Sequence, residues 1–215
     1  MTPILVHSID KYNDMAQECV TSTVRELGSS ITNFPVYHAS ESMTIKNVNN
    51  INTGDGSWSQ RLRTALDQLP YDHIIYMLQD FIPKFICQIS LEEAIKYHVR
   101  TDNDITKLGL SEFFNVQRKP FSLSRRHYIY SQTTGPYLIS HQPIAIWRKS
   151  FLYNTLYGDI TAAQHEMLDV PCKVECLDYY RPQINSDPHK DFGTIIEYHH
   201  ALFQGKNIEY RGKYV

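Results

Sequence analysis

The stretch Asp72-His73-Ile74-Ile75-Tyr76-Met77-Leu78-Gln79-Asp80-Phe81 decides the fold, because an unbroken apolar run of β-forming residues stops at a lone acid. A half-buried strand would alternate apolar and polar residues. Continuous apolarity over Ile74 to Leu78 instead suits a strand covered on both faces, as in parallel or mixed α/β sheets. Such sheets take ligands beyond the carboxyl ends of their strands, so the run is expected to deliver Asp80 to a rim where ligands bind. A carboxylate at such a rim can hold a divalent cation, and the cation can neutralise phosphate oxygens. The plain alternative is an acid that merely begins a loop.

Working upstream, Ser57 and Gln60 have capping-box spacing, and Trp58, Leu62, Ala65, Leu66 and Leu69 share one face of the helix that follows, which Pro70 halts. Glu41 to Gly56, rich in Asn, Ser, Thr and Gly, reads as a long polar loop after a strand over Phe34 to Ala39. Before that, a strand over Ile4 to Ile9 leads into a helix over Asn13 to Leu27, closed by Gly28. Downstream, Ser90 and Glu93 have capping-box spacing, Ala94 to His98 continue that helix, and Ile105 to Leu110 read as a strand.

Beyond Ser111 the alternation loosens. Tyr128 to Tyr130, Tyr137 to Ile139, Ile144 to Trp147 and Cys172 to Tyr180 read as strands. Ser150 to Tyr157, stopped by Gly158, and Thr161 to Leu168 read as helices, and Gln183 to Gly193 as a polar loop. The expected class is α/β, a Rossmann-like mixed sheet flanked by helices, with an α+β second half. One domain over 1–215 is expected, with halves of about 1–110 and 111–215.

Composition narrows the field. A chain of 215 residues can bury roughly 70% of its unfolded surface without staples. The net charge of −2, from 21 basic and 23 acidic residues, gives no footprint for a nucleic-acid polymer. Cys19, Cys87, Cys172 and Cys176 lack a second zinc-spaced pair and are too few for a disulfide scaffold, so they read as reduced core residues. The start of the chain has no basic n-region, and no apolar segment approaches the roughly 20 residues of a membrane span, so a soluble cytoplasmic protein is expected.

Gly54-Asp55-Gly56-Ser57-Trp58-Ser59-Gln60-Arg61 joins a flexible loop to a helix amino end, where free N–H groups and the helix dipole favour an anion such as diphosphate. Neither a Walker sequence nor a G-x-G-x-x-G run is present. The order of parts is more telling: βα unit, long loop, capped helix bearing Arg61 and Arg63, buried strand, then an acid. That order resembles GT-A fold glycosyltransferases. The likeness includes His7-Ser8-Ile9-Asp10, Gln79-Asp80-Phe81 and the run Gln142 to Leu152, covers roughly residues 3 to 180, and extends to small bacterial and viral sugar transferases, among them a domain from large algal viruses (chloroviruses).

The resemblance implies a metal-assisted glycosyltransferase that moves a sugar from a nucleoside diphosphate, UDP first among them, to a hydroxyl of a glycan or glycoprotein. It implies that Ser8, Ile9, Asp10 and Asp55 meet the nucleoside, that Arg61 or Arg63 offsets phosphate charge, and that Asp80 holds Mn2+ or Mg2+. Where the motif usually carries two acids, Gln79 stands beside Asp80; an amide can bond a ribose or sugar hydroxyl instead. His189, Asp191, His199 and His200 are candidates by position for a second metal ligand. Glu166, in Ala163 to Asp169, matches an acid that faces the acceptor, as a base in an inverting reaction or an orienting group in a retaining one. Its alternative is a solvated helix acid.

Trp58 reads as a packing residue or a platform for uracil, and Trp147 is equally open. The basic, aromatic stretch Arg118 to Tyr128 reads as a loop that grips diphosphate or acceptor, or as a surface strand. Two rival functions remain: a nucleotidyltransferase of related topology, which attacks the α-phosphate, and a non-catalytic glycan-binding or scaffold module.

Overall fold

Strand β1 (Ile4–His7) leads through a 3-10 turn (Asp10–Tyr12) into helix α1 (Asn13–Leu27) and a second 3-10 turn (Gly28–Thr32). Strands β2 (Val36–Ser40) and β3 (Asn49–Asn52) precede helix α2 (Trp58–Asp67), strand β4 (His73–Leu78), strand β5 (Phe81–Ile86) and helix α3 (Gln88–Val99). The second half holds β6 (Lys107–Gly109), β7 (Phe121–Ser124), β8 (His127–Gln132), β9 (Ala145–Arg148), helices α4 (Lys149–Thr155) and α5 (Ala162–Glu166), then β10 (Val174–Tyr180), β11 (Phe192–Thr194), β12 (Ile196–Gln204) and β13 (Asn207–Tyr210). This computed structural model describes residues 1–100, 104–110, 121–124, 127–132, 138–141, 144–180, 192–204 and 207–210.

The architecture is mixed α/β, a central sheet flanked by helices. Its strands run in the order β3-β2-β1-β4-β9-β6-β10-β8-β7, with β11 beside β10. The four strands from β3 to β4 are mutually parallel, and β9 enters antiparallel between β4 and β6. A second sheet has the order β13-β12-β5.

Both faces of the central strands are buried, and their side chains alternate between two cores. Ile4, Val6, Ile75, Met77 and Ile146 point to the side of α1, with Met15, Ala16, Cys19 and Val20. Leu5, Ile74, Tyr76, Ala145 and Trp147 point to the side of α2 and α4, with Leu62, Ala65, Leu66 and Leu152. The period-2 geometry of a strand turns one continuous apolar run into two cores, and hydrophobic burial on both faces fixes its register.

Local signals explain several boundaries. Ser57 caps α2 through a full capping box with Gln60. Gly56 has φ +153°, and a Cβ there would meet Gln60 Oε1 at 2.8 Å, so a glycine keeps space for that box. Gly28, at φ +52°, ends α1.

Four expectations need correction. The loop over Glu41 to Gly56 contains β3, whose residues are exposed apart from Ile51, as suits an edge strand with one anchor. Ser90 caps nothing: α3 starts earlier, at Gln88, and Ser90 is buried inside it. Leu138 and Ile139 lie in a turn rather than a strand. Strand β5 was not expected after Asp80; Pro83 and Lys84 disguise it, and its ladder to β12 shifts register where Pro83 faces Tyr198.

Candidate functional site

Parallel pairing brings the carboxyl ends of β1, β2 and β4 to one edge. His7 is level with Ala39 and Leu78, so Ser8 and Gln79 leave the sheet beside Ser40, the last residue of β2. The edge is knit by Ser8 N–H donating to Ala39 O at 2.9 Å and Gln79 N–H donating to His7 O at 3.2 Å. Asp80 follows in the turn between β4 and β5 and is partly buried. The expected rim position for this acid is therefore where the backbone puts it.

Ser8 begins a short polar chain. Its Oγ lies 2.8 Å from His38 Nε2, and His38 Nδ1 lies 3.4 Å from Asn50 Oδ1. Asn50 donates from Nδ2 to Ile45 O and accepts Ile45 N–H on Oδ1, so its amide is oriented and offers His38 an acceptor.

A second chain runs along the other side. Glu166 Oε1 accepts His141 N–H at 2.8 Å and Ser140 Oγ–H at 3.1 Å, and lies 3.3 Å from His141 Nδ1. His141 Nε2 lies 3.0 Å from His165 Nδ1, with the two rings stacked at 5.0 Å. His165 Nε2 lies 2.8 Å from Thr155 Oγ1, which is 2.7 Å from Leu152 O. The Glu166 side chain is 23% exposed while that of His141 is fully buried, so this chain leads from the surface inwards.

Trp58 packs on the second chain and on β1, with its ring 4.8 Å from His141, 5.2 Å from His165 and 6.1 Å from His7. Tyr76 completes the wall: its hydroxyl is 3.2 Å from His7 Nδ1, and its ring is 5.5 Å from His141. Lys107, fully buried on β6, donates to the Ser140 carbonyl and lies 5.1 Å over the Trp147 ring. Lys107 and Trp147 thereby anchor the turn that carries His141.

The electrostatics follow from burial. Desolvation, with the Arg61 guanidinium adding to it, depresses His7 to about 3, and desolvation with His141 nearby depresses His165 to about 3. Desolvation also lowers His141, against the pull of Glu166, and lowers His38. For Glu166, burial acts to raise the carboxyl, but contacts with His141 and Ser140 outweigh it and hold the group below the ordinary range. Burial, with the charges of Asp80 and Glu166 adding to it, raises the Tyr76 phenol well above its ordinary range. Both carboxylates are thus felt at one buried phenol.

The remaining expected residues are dispersed. Asp10 is occupied: its carboxylate accepts Ser42 N–H, Ser42 Oγ–H and Met43 N–H, while Asp10 N–H donates to Glu41. Ile9 is partly buried and its carbonyl accepts Tyr12 N–H. Asp55 is exposed in the bend before α2. Arg61 is buried and paired with Glu41 at 2.9 Å, near enough to His7 and Tyr76 to affect both. Arg63 instead donates to Leu156 O at 3.1 Å and lies 4.9 Å over the Tyr153 ring, on the α4 side. Arg63 and Asp55 are therefore not gathered with Ser8 and Gln79-Asp80.

His38, His141, His165 and Lys107 escaped the sequence reading. The only local hint was His165 standing directly before Glu166. Among the described residues no group of three His, Cys, Asp or Glu side chains is placed to hold a metal ion. Of the carboxylates near the strand ends, Asp10 is bonded to Ser42 and Met43 and Glu41 is paired with Arg61, so an ion at Asp80 would complete its shell with water and ligand oxygens. Arg118 to Pro120, Arg125, Arg126, Gln142, Pro143, His189 and Asp191 lie outside the described residues, as do the side chains of His199 and His200. No helix among the described residues is long and apolar enough to cross a membrane.

No family model matches the chain, and no curated protein matches it. Among solved structures it is similar to S. aureus TarS 1-349 in complex with UDP-GlcNAc, at 14% identity and a TM-score of 0.48, covering 87% of this chain and 60% of that one. It is also similar to the galactosyltransferase LgtC in complex with donor and acceptor sugar analogs, at 8% identity and 0.41, covering 71% and 60%. A cytidylyltransferase from Leptospira borgpetersenii matches at 15% and 0.40, covering 77% and 68%. The chain spans about three-fifths of the TarS fragment. At identities and TM-scores this low, what the site can do has to come from its own residues.

Proposed function

We propose that this chain is a metal-assisted glycosyltransferase that moves a sugar from a nucleoside diphosphate, UDP first among them, to a glycan hydroxyl. One observation carries the reading: Asp80 lies two residues beyond the end of β4, and Glu166 on α5 is held by His141, whose ring is 5.5 Å from that of Tyr76 on the same β4. Two carboxylates with different surroundings allow two roles. Asp80 would hold a divalent ion, Mn2+ or Mg2+, which when bound supplies positive charge to the departing diphosphate.

Glu166 is the group for the acceptor. Its Oε1 is committed to Ser140 and His141, and no described residue bonds Oε2, so one oxygen remains for a hydroxyl. Held ionised, it can take that hydroxyl's proton as the acceptor oxygen attacks the anomeric carbon. Ser8 and Gln79 at the same edge offer a hydroxyl and an amide to nucleoside or sugar.

The test is a panel of nucleotide sugars scored for nucleoside diphosphate release, with Mn2+ and with chelator, alongside Asp80→Ala. Release in metal is expected, falling roughly 10²-fold or more in the variant, while the variant keeps a cooperative thermal transition. Release of pyrophosphate from nucleoside triphosphates, or undiminished turnover in Asp80→Ala, ends this assignment.

A further inference from the structure

We infer that Glu41 is a positioning residue for the nucleotide, a clamp that holds the exit of β1, the exit of β2 and helix α2 in one arrangement before any ligand arrives. The inference rests on the reading that the edge bearing Ser8 and Gln79 takes the nucleoside diphosphate. Glu41 directly follows the last residue of β2, and each of its acceptors reaches a different element. Its Oε1 accepts from Arg61 Nη1 on α2 at 2.9 Å, its Oε2 accepts Asp10 N–H beyond β1 at 3.0 Å, and its carbonyl accepts Gly54 N–H in the loop before α2 at 3.1 Å.

The grip is mutual. The Asp10 carboxylate accepts Ser42 N–H at 3.1 Å and Met43 N–H at 3.3 Å, so the exits of β1 and β2 hold each other by side chain and backbone. Ser8 N–H donates to Ala39 O at 2.9 Å, and the stretch Ser8 to Asp10 is therefore fastened to the β2 side at both of its ends. Ser8, offered to the ligand, is placed by residues that need not touch it.

Charge and burial assign Arg61 to this clamp. Its side chain is 6% exposed, and the 2.9 Å pair with Glu41 has a net charge near zero, which leaves little field for a diphosphate. A buried guanidinium is stable only while it is paired, so the carboxylate cannot be lost without disturbing α2. Both Glu41 oxygens are needed at once. Glutamine has one oxygen, which can serve Arg61 or Asp10 N–H but not both. An edge assembled beforehand spares the ligand the entropy of ordering it, so the clamp acts on affinity and not on the bond-breaking step.

The test titrates UDP in Mn2+ by calorimetry and follows backbone amide exchange by NMR. In the wild type the amides of Asp10, Ser42 and Met43 should exchange slowly before UDP is added; exchange at free-loop rates overturns the inference even if no variant folds. Glu41→Gln should speed exchange at these three amides, leave β1 and β4 protected, and weaken UDP roughly tenfold, raising the donor KM with kcat nearly unchanged. Glu41→Gln/Arg61→Met removes the stranded charge and frees the amide oxygen for Asp10, so UDP binding should return to within about threefold of wild type. Loosened amides with unchanged UDP affinity reduce the clamp to a structural role, and a double variant no better than Glu41→Gln places Arg61 on the diphosphate; either result ends the inference. The reading of the edge fails on a separate signal, a wild type that binds none of UDP, CDP, GDP or ADP, which takes the role of Glu41 with it.

Discussion

The two histidine chains, Ser8–His38–Asn50 and Glu166–His141–His165–Thr155, are built alike and end differently. His38 is bonded to a serine on one side and an amide, Asn50, on the other; His141 is bonded to a histidine on one side and faces a carboxylate, Glu166, on the other. Both imidazoles are held below their ordinary range by burial. An amide can only orient the ring, and no charge is available to trade a proton. A carboxylate with one oxygen open to solvent can receive a proton from outside, so chemistry belongs to the second chain and scaffolding to the first.

The sharpest way to break that contrast is Glu166→Gln, which leaves the second chain ending in an amide like the first. Turnover on the donor found by the nucleotide-sugar panel is expected to fall roughly 10²- to 10⁴-fold, with KM nearly unchanged. A loss in KM alone would move Glu166 from chemistry to binding.

Acid should strike the buried histidines as a group. His7 and His165 titrate at about 3 in the folded chain, against an ordinary value of 6.5, so below 6.5 the unfolded state binds protons that the folded state does not. Their contribution is fully present above that value and is lost as pH falls from 6.5 toward 3. Each such histidine removes about 1.4 kcal/mol per pH unit across that window. Urea midpoints measured at pH 7, 6 and 5 should therefore decline, and a flat series would contradict the burial of these rings.

The smallest effect sharpens the contrast from the other side. Asn50→Asp gives the first chain a carboxylate end, and His38 should titrate upward by roughly one unit, read by NMR. The two Asn50 Nδ2 bonds, to Ile45 O and Val48 O, are lost in the process. Stability should drop by about 1–2 kcal/mol.

Much of the scaffold was legible because it rests on short-range signals. The apolar run ending at Leu78, the apolar face of α1 closed by Gly28, and the Ser57–Gln60 box all act within a few residues, and each element forms where its signal lies. Strand β3 was illegible because an edge strand needs only Ile51 to face inward, and β5 because Pro83 and Lys84 are tolerated at its irregular pairing with β12. Asp80 could be named a candidate from its place after an apolar run and Glu166 from the resemblance, but the partners of Glu166 could not be read at all. Ser8 to His38, Lys107 to Ser140 and Glu166 to His141 are joined across 30, 33 and 25 residues, and only the closed sheet makes them neighbours. Arg61 shows the same limit: a basic helix residue suggests a ligand, yet its guanidinium is already matched by Glu41.

The insertion of β9 between β4 and β6 has a consequence for how the chain assembles. Strands β1 to β4 can pair as soon as they exist, yet the free side of β4, from His73 to Tyr76, waits for Ala145 to Arg148. Until that late segment docks, a nascent chain presents an open ladder flanked by some of the most apolar residues of the molecule, a natural template for another copy. A fragment ending before Ala145 should self-associate, and the slow step of refolding should be the closing of this gap.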